Sequence, residues 1–211
     1  MKPVVRPRLL LAALGLLLLL AVWLSLALGP VSLPLGETLR AGLRLLGVPL
    51  DGAGLERAEL ILGQIRVPRT LLGLAVGAVL ALTGVSMQGL FRNPLADPGL
   101  VGVSSGAAMG AAFAIVLGAA WGGLPEVLAP YLLSASAFAG GLLVAGLVFR
   151  LGRRAGQTSV AYMLLAGVAL TALSGAVIGL LTYLADDATL RSLTFWNLGS
   201  LNGASYARLW P

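Results

Sequence analysis

An all-α, polytopic transmembrane helix bundle is the fold class this sequence predicts, and three observations predict it. Hydrophobic residues make up 58% of the 211, charged residues only 10%, and mean hydropathy is +0.97. A soluble domain carries roughly 25% charged residues. Five apolar stretches approach or exceed the ~20 residues that cross a hydrocarbon core, and none contains Asp, Glu, Lys or Arg. Glycines recur at four-residue spacing on three of those stretches, the pattern that lets membrane helices approach closely.

The first span is Leu9 to Leu28, behind Lys2, Arg6 and Arg8. These basic residues and the "ALG" at 27–29 also fit a signal peptide, but the run exceeds the usual ~7–15-residue apolar region. A retained span is the expected reading. The loop after it contains "LGETLRAGLRLLG" (35–47), which sets Leu39, Leu43 and Leu46 on one helical face with Arg40 and Arg44 elsewhere. That pattern suits a helix lying at the membrane interface or a short helix packed on its own spans. Both readings stay open.

The second span covers about Thr70 to Leu90 and carries Gly73 and Gly77. It ends in "FRNPLADPG" (91–99). A residue before proline is pushed out of the helical region, so this span stops by Asn93. Asn93-Pro94 and Asp97-Pro98 each read as an N-cap followed by proline at the first helical position. The chain is expected to turn tightly and restart at Pro98, with Asp97 over the positive end of the new helix. On the residues alone, a rigid hairpin and a functional element are equally open.

The third span, about Leu100 to Gly118, carries Gly102, Gly106 and Gly110. The fourth is about Leu132 to Phe149. The fifth, about Val160 to Leu184, carries Gly175 and Gly179. No segment is a domain linker, so residues 1–211 read as one membrane-spanning domain.

The flanks indicate orientation. With the N-terminus inside, Lys2, Arg6, Arg8, Arg92, Arg150, Arg153 and Arg154 are cytoplasmic. Arg40, Arg44, Arg57, Arg66, Arg69, Arg191 and Arg208 are outside, a raw balance of seven to seven. The inside arginines sit in short flanks, where the positive-inside bias counts most, and seven of the eight acids fall outside. An inside N-terminus is expected.

The sequence has no cysteine and no histidine. That removes zinc sites built on those residues, Ser-His and Cys-His catalysis, and rhomboid-like proteolysis. With no Asp or Glu inside a span, a membrane enzyme lacks a general base. No catalytic residue, metal ligand or cofactor is expected. The basic residues form no single patch, so nucleic acid is not an expected partner.

The run "RVPRTLLGLAVGAVLALTGVSMQGLFRNPLADPGLVGVSSGAAMGA" (66–111), with "MLLAGVAL" at 163–170, closely resembles the permease subunits of the iron–siderophore, haem and cobalamin ABC importers (FecCD-type). The resemblance implies about ten spans in two repeated halves, a common transporter device, of which about five are present here. It implies a multi-pass protein of the bacterial inner membrane. The partners it implies are a second permease copy or paralogue, two cytoplasmic ATPase subunits and an extracytoplasmic substrate-binding protein. ATP hydrolysis then lies on the separate ATPase. The cargo class is an iron–siderophore foremost, with haem and cobalamin as relatives. The chain ends at Trp210-Pro211, near where a sixth span would begin, and is expected not to transport alone. The alternative expectation is a truncated, non-transporting membrane scaffold or remnant.

The resemblance also implies residue roles. Arg66 and Arg69 would meet glutamates of the binding protein; ordinary interfacial snorkelling is the alternative. Asn93 and Leu95, with Thr158 and Ser159 of the next loop on that side, would form a cytoplasmic gate, although Thr158 could simply cap the fifth span. Pro94, Asp97 and Pro98 shape the turn. The fifth span would line the path, with Thr171, Ser174 and Thr182 as polar candidates, although such hydroxyls more often bond the carbonyl four residues back.

Overall fold

The computed structural model describes residues 7–52, 54–94, 97–120, 128–154 and 157–209. They are nearly all helical, and the chain forms two compact units, Met1–Val79 with Leu201–Pro211, and Leu80–Ser200. Among the described residues, four helices are long and apolar enough to cross a membrane: Pro7–Ala27, Leu55–Phe91, Tyr131–Gly152 and Val160–Leu184. The molecule is a multi-pass membrane helix bundle.

In the first unit, α1 (Pro7–Ala27) is apolar on every side after Arg8, and its leucines up to Leu24 lie exposed, as a lipid-facing span requires. Helix α2 (Leu35–Leu45) carries Glu37 in its first turn and Arg44 in its last, both favourable to the helix dipole. Helix α3 (Leu55–Ile61) runs without a break through a π-turn, Leu62–Arg66, into α4 (Val67–Phe91). A core of Ala41, Leu55, Ala58 and Leu62 joins α2 to α3, and Leu26 from the end of α1 packs against it. An Arg44–Glu59 ion pair at 3.1 Å closes the same contact. The short helix α9 (Tyr206–Leu209) returns to this unit, where the Tyr206 hydroxyl donates to the Gly63 carbonyl at 2.9 Å. A π-turn shifts the local helical bonding by one residue, and Tyr206 takes up a carbonyl inside it.

The packed reading of residues 35–47 holds for one side of α2. Thr38 and Ala41 are buried on the α3 side, while Leu39, Leu43 and Leu46 remain exposed.

In the second unit, α5 (Val103–Ala120), α6 (Ala129–Gly152) and α7 (Val160–Leu184) form the bundle. A cluster of Ala112, Val116, Leu181 and Leu193 seats α8 (Asp187–Leu198) on α5 and α7. Helix α5 has 18 residues, about 27 Å at 1.5 Å rise per residue, making it the shortest of the five expected spans.

Glycine spacing has different consequences on different helices. A Cβ built on Gly106 would lie 2.6 Å from the Gly140 carbonyl oxygen, and one on Gly110 would collide with the Ser136 carbonyl. Here α5 and α6 touch backbone to backbone. Gly73 faces Leu201, but a Cβ on Gly77, Gly175 or Gly179 would meet no described atom within 4 Å. Among the described residues, backbone-to-backbone packing is made by the α5 face, which meets a partner helix that is itself small at the contact.

Candidate functional site

Two loops converge on one end of the second unit. Phe91 (last residue of α4), Val101, Val148 near the end of α6 and Met163 in the first turn of α7 are buried together with Val144. Met87, Met109, Ala166 and Leu170 pack around them. The turn after α4 and the loop between α6 and α7 thus rise from one apolar platform.

The first loop differs in detail from its expectation. Helix α4 closes with a Schellman motif. The Arg92 amide donates to Gly89 at 3.3 Å and the Asn93 amide to Gln88 at 3.2 Å. Arg92 occupies the left-handed position, φ +49°, which glycine usually fills. Asn93 is therefore the outer residue of a helix stop, and Pro94 lies in a turn. Leu95 lies outside the described residues.

Asp97 behaves as a cap: its carboxylate accepts from the Gly99 amide at 2.6 Å, with Pro98 at the first position after it. The helix it caps is one 3₁₀ turn, Pro98–Val101, rather than α5 itself. Gly102 then takes φ +77°, and α5 starts at Val103. The expected start at Pro98 is five residues early. The cause is packing: a Cβ at Gly102 would sit 3.2 Å from both Val144 and the Thr171 hydroxyl. The chain must therefore pass flush against α6 and α7 before helix α5 can begin.

The second loop is a small hairpin. β1 (Arg153–Arg154) pairs antiparallel with β2 (Gln157–Thr158), matching Arg153 with Thr158 and Arg154 with Gln157. The Ser159 amide donates to the Gly152 carbonyl at 2.9 Å, closing its base. The Arg153 guanidinium lies 5.7 Å from the Phe149 ring centroid, a cation–π distance. Thr158 is exposed in β2 and does not cap α7; Ser159 holds the cap position without a side-chain cap bond. Gly152 lets Met163 press against the end of α6, because a Cβ there would overlap the Met163 side chain. Asn93, Thr158 and Ser159 thus all lie on loops set by one platform.

The pathway candidates separate. Ser174 is 2% exposed and so faces packed protein. Thr171 accepts from the Ser105 hydroxyl at 3.2 Å, tying α7 to α5. The Thr182 hydroxyl donates to the Ile178 carbonyl at 2.8 Å, the back-bonding that membrane helices favour.

The two arginines of the first unit also part company. Arg66, expected on a docking surface, is 6% exposed. Its Nη1 donates to the Leu26 and Ala27 carbonyls at 2.6 and 2.8 Å, and Nη2 to Val31 at 2.5 Å. The end of α1 leaves carbonyls without helical partners, and one guanidinium supplies donors to them. Gly29 makes room, since a Cβ there would lie 3.1 Å from Nε and Nη2. The physical reason lies in the π-turn, which ends at Arg66 beside the end of α1. Arg69, three residues on, is exposed.

Sequence reasoning missed the π-turn, the Schellman motif, the hairpin and α8. Only α8 carried a readable signal: "DDAT" at 186–189, where the Asp186 carboxylate accepts from the Thr189 amide at 2.9 Å. Hydrogen bonds from the Thr189 side chain and backbone hold the Asp186 carboxyl below its ordinary pKa.

Residues 17–211 match the FecCD transport family. The chain belongs to that family. Among FecCD relatives, the hemin transport system permease protein HmuU of Yersinia pestis is 48% identical over 146 residues, which is 69% of this chain and 42% of HmuU. The vitamin B12 import system permease protein BtuC of Klebsiella pneumoniae is 38% identical over 205 residues, 97% of this chain and 55% of BtuC. A solved structure, an inward-facing conformation of a metal-chelate type ABC transporter, superposes with TM-score 0.73 at 32% identity. It covers 97% of this chain and 57% of that one. The chain spans about half the length of the relatives it matches.

Proposed function

We propose that this FecCD chain forms part of the translocation path of an ATP-binding-cassette importer for an iron–siderophore or a related chelate such as haem or cobalamin. It works with a second permease copy or paralogue, cytoplasmic ATPase subunits and an extracytoplasmic binding protein in the inner membrane of a bacterium. The observation that carries this reading is the pair of loops on one apolar platform. A gate must hold discrete positions rather than drift. Each loop is pinned at its base by backbone hydrogen bonds, at Gln88 and Gly89 for the first and at Gly152 for the second. Movement of the helices that carry the platform then moves both loops together. Asn93 and Leu95 on one loop, and Thr158 and Ser159 on the other, form the cytoplasmic constriction.

Docking of the binding protein falls to Arg69, which is exposed and whose guanidinium suits bidentate contact with carboxylates. Arg66 supports that contact by fixing the end of α1. The fifth span, α7, borders the path, and Thr171 is its polar candidate on an exposed position.

The sequence has no cysteine, so introduced pairs are read against an empty background. With the permease assembled on its ATPase at rest, cysteines at Asn93 and Thr158 are expected to crosslink between permease copies. Absence of any crosslink in the resting assembly contradicts the gate.

A further inference from the structure

Helix α2 presents three sectors. At about 100° per residue, Thr38 and Ala41 fall on one side, and that side is buried against α3. Arg40 and Arg44 fall on another, Arg44 held by Glu59 at 3.1 Å. Between them runs a row of four leucines, Leu35, Leu39, Leu43 and Leu46, with exposures of 56, 56, 47 and 83%. Packing among the described residues of the unit accounts for the first sector and leaves the leucines about half exposed or more.

The depth of α2 is fixed by its neighbours. Leu26, one residue from the end of span α1, packs on the same cluster as Ala41, Leu55, Ala58 and Leu62. Arg66, in the π-turn that follows α3, is hydrogen-bonded to the carbonyls of Leu26 and Ala27. The middle of α2 is therefore level with the end of a span, at the boundary between hydrocarbon and headgroups. An apolar row at that level, flanked by arginine, is the composition of a helix that lies in the interface. In such a helix the leucines enter the acyl region, and a long cationic side chain such as that of Arg40 snorkels towards lipid phosphates.

We propose that α2 is a lipid-binding element whose row of Leu35, Leu39, Leu43 and Leu46 is seated in the bilayer interface, so that the level of the membrane sets the position of the α2–α3 platform. This goes beyond the transport reading and stands or falls separately from it.

Single cysteines at Leu39, Leu43 and Arg40, each spin-labelled in the cysteine-free chain, test it in phosphatidylcholine–phosphatidylglycerol vesicles. Collision with oxygen reports lipid, and collision with a water-soluble nickel chelate reports water. Labels at Leu39 and Leu43 are expected to favour oxygen over nickel several-fold, and the label at Arg40 to show the reverse. Nickel access at Leu39 and Leu43 equal to that at Arg40 overturns the proposal in favour of an aqueous face. Shielding of Leu39 and Leu43 from both reagents overturns it in favour of a protein neighbour, such as another permease segment. Because Leu39 and Leu43 are about half exposed, their replacement removes only part of a side chain's packing, and a native circular dichroism spectrum confirms that each labelled chain is folded.

Discussion

The ends of α1 and α4 solve one problem in opposite ways. Each helix must satisfy its last carbonyls. At α1 the donor is a side chain some forty residues away in sequence, Arg66, bonded to Leu26, Ala27 and Val31. At α4 the donors are the next two amides, of Arg92 and Asn93. The first solution welds two helices together and buries a charge. The second is local, made by the two amides that follow the helix. A fixed end suits an element that positions a docking surface, and a self-contained end suits a loop that moves.

The largest effect is expected from breaking the weld. Arg66→Ala leaves three carbonyl oxygens without their charged donor. Hydrogen bonds to charged groups contribute about 1.5–3 kcal/mol each, with non-additive losses, so thermal unfolding in detergent should show a loss of about 3 kcal/mol or more. Arg66→Lys, with fewer donors in a different geometry, should recover only part. Arg69→Glu should leave stability within about 0.5 kcal/mol, as at an ordinary surface site, yet weaken capture of the binding protein. Equal stability losses at both positions would erase the distinction between them.

Glycine substitutions rank next. Gly110→Ala places a methyl group into the Ser136 carbonyl and should cost about 1–3 kcal/mol through overpacking. Gly179→Ala meets no described atom within 4 Å and should be neutral or stabilising by up to about 1 kcal/mol. The same unfolding assay reads both.

Arg92→Gly sharpens the other side of the comparison. It relieves a left-handed residue whose conformation costs about 1–3 kcal/mol, so stability should hold or rise by about 1 kcal/mol. A marked loss would show that the Arg92 side chain, not the backbone, holds the turn.

The smallest effect is at Asp186. Its folded pKa lies below the ordinary value because Thr189 hydrogen-bonds the carboxylate. Its contribution is therefore complete above the unfolded carboxylate pKa of about 4 and fades as pH falls through the lower folded value. Asp186→Asn should flatten that acid limb slightly, as seen in pH-dependent helicity.

Much of the bundle was legible because hydropathy and length are local properties. The expected spans 70–90 and 160–184 fall within or on α4 and α7. Asp97-Pro98 announced a cap for the same reason. What was not legible depends on distant partners. Nothing in "LGQIR" indicates a π-turn, whose stabilising contacts come from Tyr206 at Gly63 and from the carbonyls of α1 at Arg66. Arg66 and Arg69 look equivalent in "RVPR", and only the fold buries one and exposes the other. The late start of α5 likewise depends on Val144 and Thr171, far along the chain from Gly102.

The gate is the central claim, and reactivity at its two loops tests it most directly. Single cysteines at Asn93 and Thr158, in the permease assembled with its ATPase in membranes, can be labelled with a maleimide at rest and after trapping with ATP and vanadate. The account predicts that both labelling rates change in step between the two states, because both loops stand on the platform of Phe91, Val101, Val148 and Met163. Rates that stay constant at both positions, or change at only one, would contradict it.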